Sequence, residues 1–166
     1  GSRGWFYLYT LNNPVNARDY LQKDMDIVIR MGDEGARTRL LNGLAKCDWM
    51  EAENSKDTAQ TEKLKESAFD LANESYQNAM YLVRETDAVF AALNIFSYGS
   101  DSEGHNKIIN AVGKEIDNEK LWNELRNGRT SSRSYPYIKS EMLNALEKLD
   151  DTKGRGWVKT LKKKLS

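Results

Sequence analysis

Between residues 64 and 96 the apolar positions recur at the spacing of an α-helix, and strand alternation fits nowhere in the segment. No Gly or Pro interrupts this stripe, which continues for about nine turns. The pattern predicts a helical spine at the centre of an all-α core, with Phe90 and Leu93 almost fully buried. Thr86 or Asp87 can cap a helix, so a restart there is the alternative to one continuous helix. The residues of the stripe are Leu64, Ala68, Leu71, Ala72, Tyr76, Ala79, Leu82, Val83, Val89, Phe90, Leu93 and Phe96.

A second helical stripe precedes this segment and starts at Pro14, with Asn13 in position to cap the helix. A wholly polar run at residues 53–58 separates the two stripes. Because a short connection makes neighbouring helices antiparallel, the sequence predicts a long antiparallel hairpin formed by residues 14–54 and 58–97.

Three glycines, Gly32, Gly35 and Gly43, lie within the first stripe, and each costs a helix about 1 kcal/mol relative to alanine. In a hairpin folded at about residue 56, Gly43 lies opposite Phe69 and Gly32 lies opposite Met80. Small residues on one helix would then face bulky residues on the other, as in interdigitated helix pairs. The alternatives are a helix break between the first two glycines, or a gap where a ligand approaches the backbone.

Helical stripes continue to the end of the chain, with a kink expected at 117–118, a loop at 126–134 and a new helix from Pro136. Trp157, Leu161 and Leu165 give the last short helix one apolar edge, which we expect to dock on the body of the protein. The complete pattern predicts a compact all-α bundle of five to seven helices built on the long hairpin.

Residues 1–13 are interpreted as a tag remnant (residues 1–2) followed by an apolar aromatic arm, and 14–166 as a single helical domain. Five apolar or aromatic residues follow one another at 5–9. They either pack on the bundle or form the interfacial end of a membrane anchor, since Trp and Tyr favour the headgroup level. The second interpretation would make this chain the soluble part of an anchored protein.

Charge divides the chain into an acidic body and a basic C-terminal part. Residues 1–125 contain 14 Lys and Arg against 21 Asp and Glu, whereas residues 126–166 contain 11 against 4. Such asymmetry either marks an anionic partner or lets the basic part pack on its own acidic body. The candidate anion-binding residues are Arg126, Arg129, Arg133, Lys159, Lys162, Lys163 and Lys164.

Reactive side chains are few, since the chain contains one cysteine and one histidine. We therefore expect no metal site and no cofactor. Cys47 is interpreted as a small core residue and His105 as a solvated polar residue on the first turn of a helix. Residues 89–99 resemble the central helix of phage lysozymes, but the catalytic Glu of those enzymes has no counterpart in residues 5–40. A hydrolase alternative thus has no named carboxylate pair.

These observations predict a non-enzymatic helical interaction module that binds another protein, of the adaptor, accessory, inhibitor or immunity type. The first alternative is a protein that binds nucleic acid or an anionic membrane surface through residues 126–166. The second is a hydrolase whose carboxylates cannot be identified from their spacing.

Overall fold

The computed structural model describes residues 2–127, 131–149 and 155–165. All regular structure in these ranges is helical, which confirms the all-α prediction, but there are nine helices where five to seven were expected. Over the same residues, no helix combines the length and apolarity needed to cross a membrane. The helices are α1 (Ser2–Tyr9), α2 (Pro14–Met31), α3 (Glu34–Asn54), α4 (Thr58–Tyr81), α5 (Glu85–Tyr98), α6 (Glu103–Ile116), α7 (Glu119–Asn127), α8 (Ser131–Glu147) and α9 (Trp157–Leu165).

Each predicted arm of the hairpin consists of two helices. The first arm breaks at Gly32, which adopts a left-handed φ of 69° and ends α2. Asp33 then caps α3 by accepting a hydrogen bond from Ala36 N at 3.0 Å. The second arm breaks at the turn between α4 and α5, where Val83 has a φ of 56°. A left-handed φ is rare for a β-branched residue, and the apolar stripe continues through this turn. The alternative restart at Thr86 or Asp87 lies close to the observed start of α5 at Glu85.

Side-chain hydrogen bonds join the antiparallel helices α3 and α4. Ser75 Oγ donates to the Thr38 carbonyl at 2.8 Å, and Ser67 Oγ donates to Asp48 Oδ2 at 2.5 Å. Asp48 is 7% exposed, and its carboxylate also lies 2.5 Å from Arg18 Nη2 of α2. A buried carboxylate needs such partners, so this cluster fixes α2, α3 and α4 relative to one another.

Gly43 does not face Phe69 of α4, and that part of the prediction was wrong. A Cβ added to Gly43 would lie 2.8 Å from the Trp5 ring and 3.0 Å from Leu21 Cδ1. The small residue therefore accommodates α1 and α2. The aromatic arm is itself a helix, and its Leu8 is completely buried. The predicted contact between Gly32 and Met80 is also absent, because nothing lies within 4 Å of a Cβ built on Gly32.

The core is centred on α5, which packs against α3, α4, α6, α7 and α8. Leu93 is 6% exposed, as predicted. Phe90 was predicted to be almost fully buried and is only partly so, because its ring faces an open groove. The buried residues of α5 are Ala88, Val89, Ala91, Ala92, Leu93, Ile95, Phe96 and Tyr98.

The C-terminal helix docks through its predicted apolar edge, because Trp157, Leu161 and Leu165 are all buried. Trp157 Nε1 donates to Asn110 Oδ1 of α6 at 3.0 Å. The indole lies directly over Gly113 of α6, where a Cβ would overlap it. The contact of α9 with α6 therefore depends on a residue without a side chain.

The helix α8 begins earlier than expected. It starts at Ser131, so Pro136 lies inside the helix instead of opening it. Residues 128–130 of the expected loop at 126–134 lie outside the described residues.

We expect Gly113→Ala to destabilise the protein by about 1–3 kcal/mol, because the added methyl group overlaps the Trp157 ring. Gly104→Ala, in the first turn of the same helix, is the matched control, since nothing lies within 4 Å of its Cβ. The control should be neutral or stabilising by up to about 1 kcal/mol. Urea unfolding measures both changes, and equal stability of the two variants would contradict the docking of α9 on α6.

Candidate functional site: an aromatic groove

A groove bordered by α1, α3, α5 and α8 is a candidate site lined by aromatic side chains from each of these helices. It consists of two adjoining cavities of about 190 Å³ and 310 Å³. Both cavities are lined by Lys46, Leu93, Asn94 and Tyr137, so they are direct neighbours on the surface. We call it the aromatic groove, after the side chains Trp5, Tyr9, Trp49, Phe90, Tyr98 and Tyr137 that line it.

The aromatic side chains border the groove from different helices and are supported by contacts with one another. The Phe90 ring of α5 and the Tyr137 ring of α8 are stacked with centroids 6.4 Å apart. In the other cavity, Trp49 and Tyr98 stack at 4.7 Å. Tyr137 is 46% exposed, so part of this aromatic surface remains open to solvent.

We call the cavity bordered by Trp5 and Phe90 the first lobe. One face of α3 places Arg39, Asn42 and Lys46 along it, because residues three and four apart are neighbours on a helix surface. Asn42 Oδ1 accepts a hydrogen bond from Asn94 Nδ2 at 3.2 Å. This leaves three donors on that face of α3: the amide N–H groups of Asn42, the guanidinium of Arg39 and the ammonium of Lys46.

Partial burial changes the ionisation of two groups in the first lobe. Burial lowers the pKa of Lys46, although Glu141 and Glu53 oppose the shift. The Lys46 ammonium lies 4.6 Å from the centroid of the Tyr9 ring, a cation–π contact. Half of Tyr9 is exposed at the edge of the groove, but desolvation of its hydroxyl raises its pKa to about 12. The hydroxyl is therefore neutral at physiological pH.

The second lobe, which is the larger cavity, differs in its charge. Trp49, Met50 and Ser97 line it together with the carboxylates of Glu53 and Glu141. Along α3 the two lobes extend from residue 39 to residue 53. At 1.5 Å per residue this corresponds to about 21 Å along the axis of α3.

Several of the predicted anion-binding residues pair with carboxylates of the same chain. Lys164 Nζ lies 2.6 Å from Asp117 Oδ1 and 3.6 Å from Glu119 Oε2. Arg126 Nη2 lies 3.2 Å from the other carboxylate oxygen of Glu119, so two of the candidates share one acid. Positive charges that neutralise their own acidic body are less available to an external anion.

Lys162 is paired in the same way, with its Nζ 3.0 Å from Glu147 Oε1. Lys159 and Lys163 are exposed on α9. Arg129 and the side chain of Arg133 lie outside the described residues.

His105 is buried, with 7% exposed, so the prediction of a solvated histidine was wrong. Its ring stacks on Phe69 at 3.7 Å. Nδ1 accepts the backbone N–H of Ser100 at 2.9 Å, and Nε2 lies 3.0 Å from Glu66 Oε2. The ring thereby connects the α5–α6 turn to α4.

The same contacts resemble a Ser–His–Glu arrangement, since Ser100 Oγ lies 2.9 Å from His105 Nδ1. A general base must offer its lone pair to the hydroxyl proton. The backbone N–H of Ser100 already occupies that lone pair. The arrangement is therefore suited to holding the turn and poorly suited to activating the serine.

Cys47 is completely buried, as its interpretation as a core residue requires. Burial also raises the pKa of its thiol to about 12, which leaves almost no thiolate at neutral pH. Among the described residues, no group of three or more His, Cys, Asp or Glu side chains could hold a metal ion.

The aromatic groove was not predicted from the sequence, although Asn42 and Lys46 lie within the first predicted arm, residues 14–54. Its residues come from four helices, and the sequence does not reveal which faces of those helices adjoin. The one available signal was the excess of aromatic residues at 5–9, which we interpreted only as a packing arm or an anchor.

Comparisons of the chain with protein-family models, with curated proteins and with solved structures gave no match in any of the three. The function proposed below is therefore argued from the geometry of the aromatic groove.

We expect Lys164→Glu to destabilise the protein by about 1–2 kcal/mol, because it replaces an ion pair with repulsion from Asp117 and Glu119. Lys159→Glu, on the exposed face of the same helix, should change stability by less than about 0.5 kcal/mol. Chemical denaturation at low and high salt measures the free energy of unfolding of both variants. The difference between the two variants should shrink as the salt concentration rises. Equal losses in both variants would show that the ion pairs do not hold α9.

Proposed function

We propose that this chain is a non-enzymatic interaction module that binds an elongated segment of another protein in the aromatic groove. The observation that carries the proposal is that the two lobes adjoin along α3 and share four lining residues. In this proposal, α3 and α4 are the antiparallel hairpin on which a compact bundle is built, and the groove follows the α3 arm.

The length of the groove favours a polypeptide over a small metabolite. About 21 Å accommodates roughly six residues of extended chain or about fourteen residues of helix. Grooves of this kind receive either an amphipathic helix or an extended peptide, which places side chains in successive pockets. The two lobes would be two such pockets.

The residue types along the groove also suit protein recognition. Trp, Tyr and Arg are the residues that most often carry the binding energy of protein interfaces, and Trp5, Tyr137 and Arg39 line the first lobe. Partly exposed aromatic rings such as Tyr137 gain burial when a partner covers them. Such an interface has an apolar centre and a polar edge.

The anion-binding alternative stays a prediction that competes with this proposal. A polyanion that used Arg126, Lys162 and Lys164 would have to displace Glu119, Glu147 and Asp117 from them.

The hydrolase alternative gains no support from His105, the only histidine in the sequence.

A phage-displayed library of random 16-residue peptides, selected on the immobilised chain, tests the proposal. We expect peptides whose affinity falls about 10- to 30-fold in Tyr137→Ala, the loss typical of truncating an aromatic residue at the centre of an interface. Fluorescence anisotropy with the synthesised peptides measures the loss.

Tyr81→Ala is the matched control, since Tyr81 is 84% exposed at the end of α4 and does not line the groove. It should leave the affinity unchanged. Recovery of no peptide, or of peptides that bind both variants as tightly as the original chain, would overturn the proposed function.

A further inference from the structure

We infer that the segment bound in the aromatic groove carries an acidic residue beside a bulky apolar one, and that its carboxylate lies against Arg39, Asn42 and Lys46. This inference rests on the proposed function and specifies the chemistry of the partner. It follows from three features of the first lobe: surplus donors, positive charge and an adjoining apolar volume.

The first feature is the surplus of hydrogen-bond donors on one face of α3. Arg39 is exposed, and none of the described carboxylates lies within ion-pair distance of it. Asn42 uses its carbonyl oxygen to accept from Asn94, which leaves its N–H groups to donate. A carboxylate offers two oxygens and about four lone pairs, so it can bind several of these donors at once.

The second feature is the net charge of the first lobe. Its one acidic side chain, Asp87, lies 2.6 Å from Arg84 Nε and is neutralised by it. Arg39 and Lys46 therefore leave the lobe positive. Lys46 is partly desolvated, which strengthens its attraction for an anion. The second lobe contains Glu53 and Glu141 beside Lys46 and Lys148, so its formal charges cancel and the acidic group belongs in the first lobe.

The third feature is the apolar volume beside these donors. Trp5, Phe90 and Tyr137 line the same cavity of about 190 Å³. An apolar protein cavity of about 150 Å³ is large enough to hold benzene. The first lobe therefore has room for one aromatic or branched aliphatic side chain, next to the place where the carboxylate binds.

The experiment compares peptides selected on the original chain with peptides selected on Arg39→Glu. Peptides from the original chain should carry Asp or Glu within about two residues of a bulky apolar residue. Changing that acid to its amide should weaken binding about 10- to 100-fold, the range of a lost charged hydrogen bond. Changing it to Lys should abolish binding to the original chain and restore binding to Arg39→Glu.

Arg30→Glu is the control, because Arg30 is exposed on α2, outside the groove, and donates to the carbonyl of Asp26. It should not alter the preference for acid. The amide-substituted peptides are measured on the unaltered chain, so this part of the test does not depend on the folding of a variant.

The possible results separate the inference from the proposed function. Peptides that need Tyr137 but bind equally well as acid or amide would overturn the inference and leave the proposed function standing. Absence of any peptide that needs Tyr137 would overturn the proposed function itself. An acid requirement together with the charge-swap rescue would support both.

Discussion

The burial of α5 is the constraint on which the rest of the structure depends. Five other helices pack around it, and its alanines at 88, 91 and 92 are completely inaccessible to solvent. Small residues allow helices to approach closely, so α3, α4 and α8 can all contact this one axis. Phe90 and Asn94 lie on the side of α5 that faces α8 and α3, and this side forms one border of the aromatic groove. The aromatic groove thus includes the part of the α5 surface that stays accessible to solvent after the other helices have packed around it.

The two groups of basic side chains differ in whether the fold has already satisfied them. Lys164 and Arg126 are held by carboxylates on α7 and in the α6–α7 connection, where they help attach the last helix to the acidic body. Arg39 and Lys46 lie beside aromatic rings and form no ion pair with a described carboxylate, although Glu53 and Glu141 of the second lobe act on Lys46. Coulomb interactions strengthen as water is excluded, so a partner that covers the groove would increase the attraction of these two cations for an acid.

Asn13 and Pro14 marked the start of α2, and helical periodicity predicted the all-α class and the inward edge of α9. It did not predict the turn at 82–84, because Val83 takes a conformation for which Gly or Asn is the usual signal. The partner of Gly43 was missed for a different reason. Periodicity identifies the buried face of a helix but does not identify which distant element covers it, and here the cover is Trp5. The groove, which joins four helices, was unpredictable for the same reason.

Native-state hydrogen exchange tests most directly whether the groove is a rigid consequence of the burial of α5. If it is, amides at the centres of α3, α5 and α8 should exchange only through global unfolding, with one common free energy equal to that from urea unfolding. Early exchange confined to the end of α1 would agree with this result, since terminal helices fray. Exchange of the α5 amides at a free energy well below that of global unfolding would contradict the account, because the groove would then lack its fixed central helix.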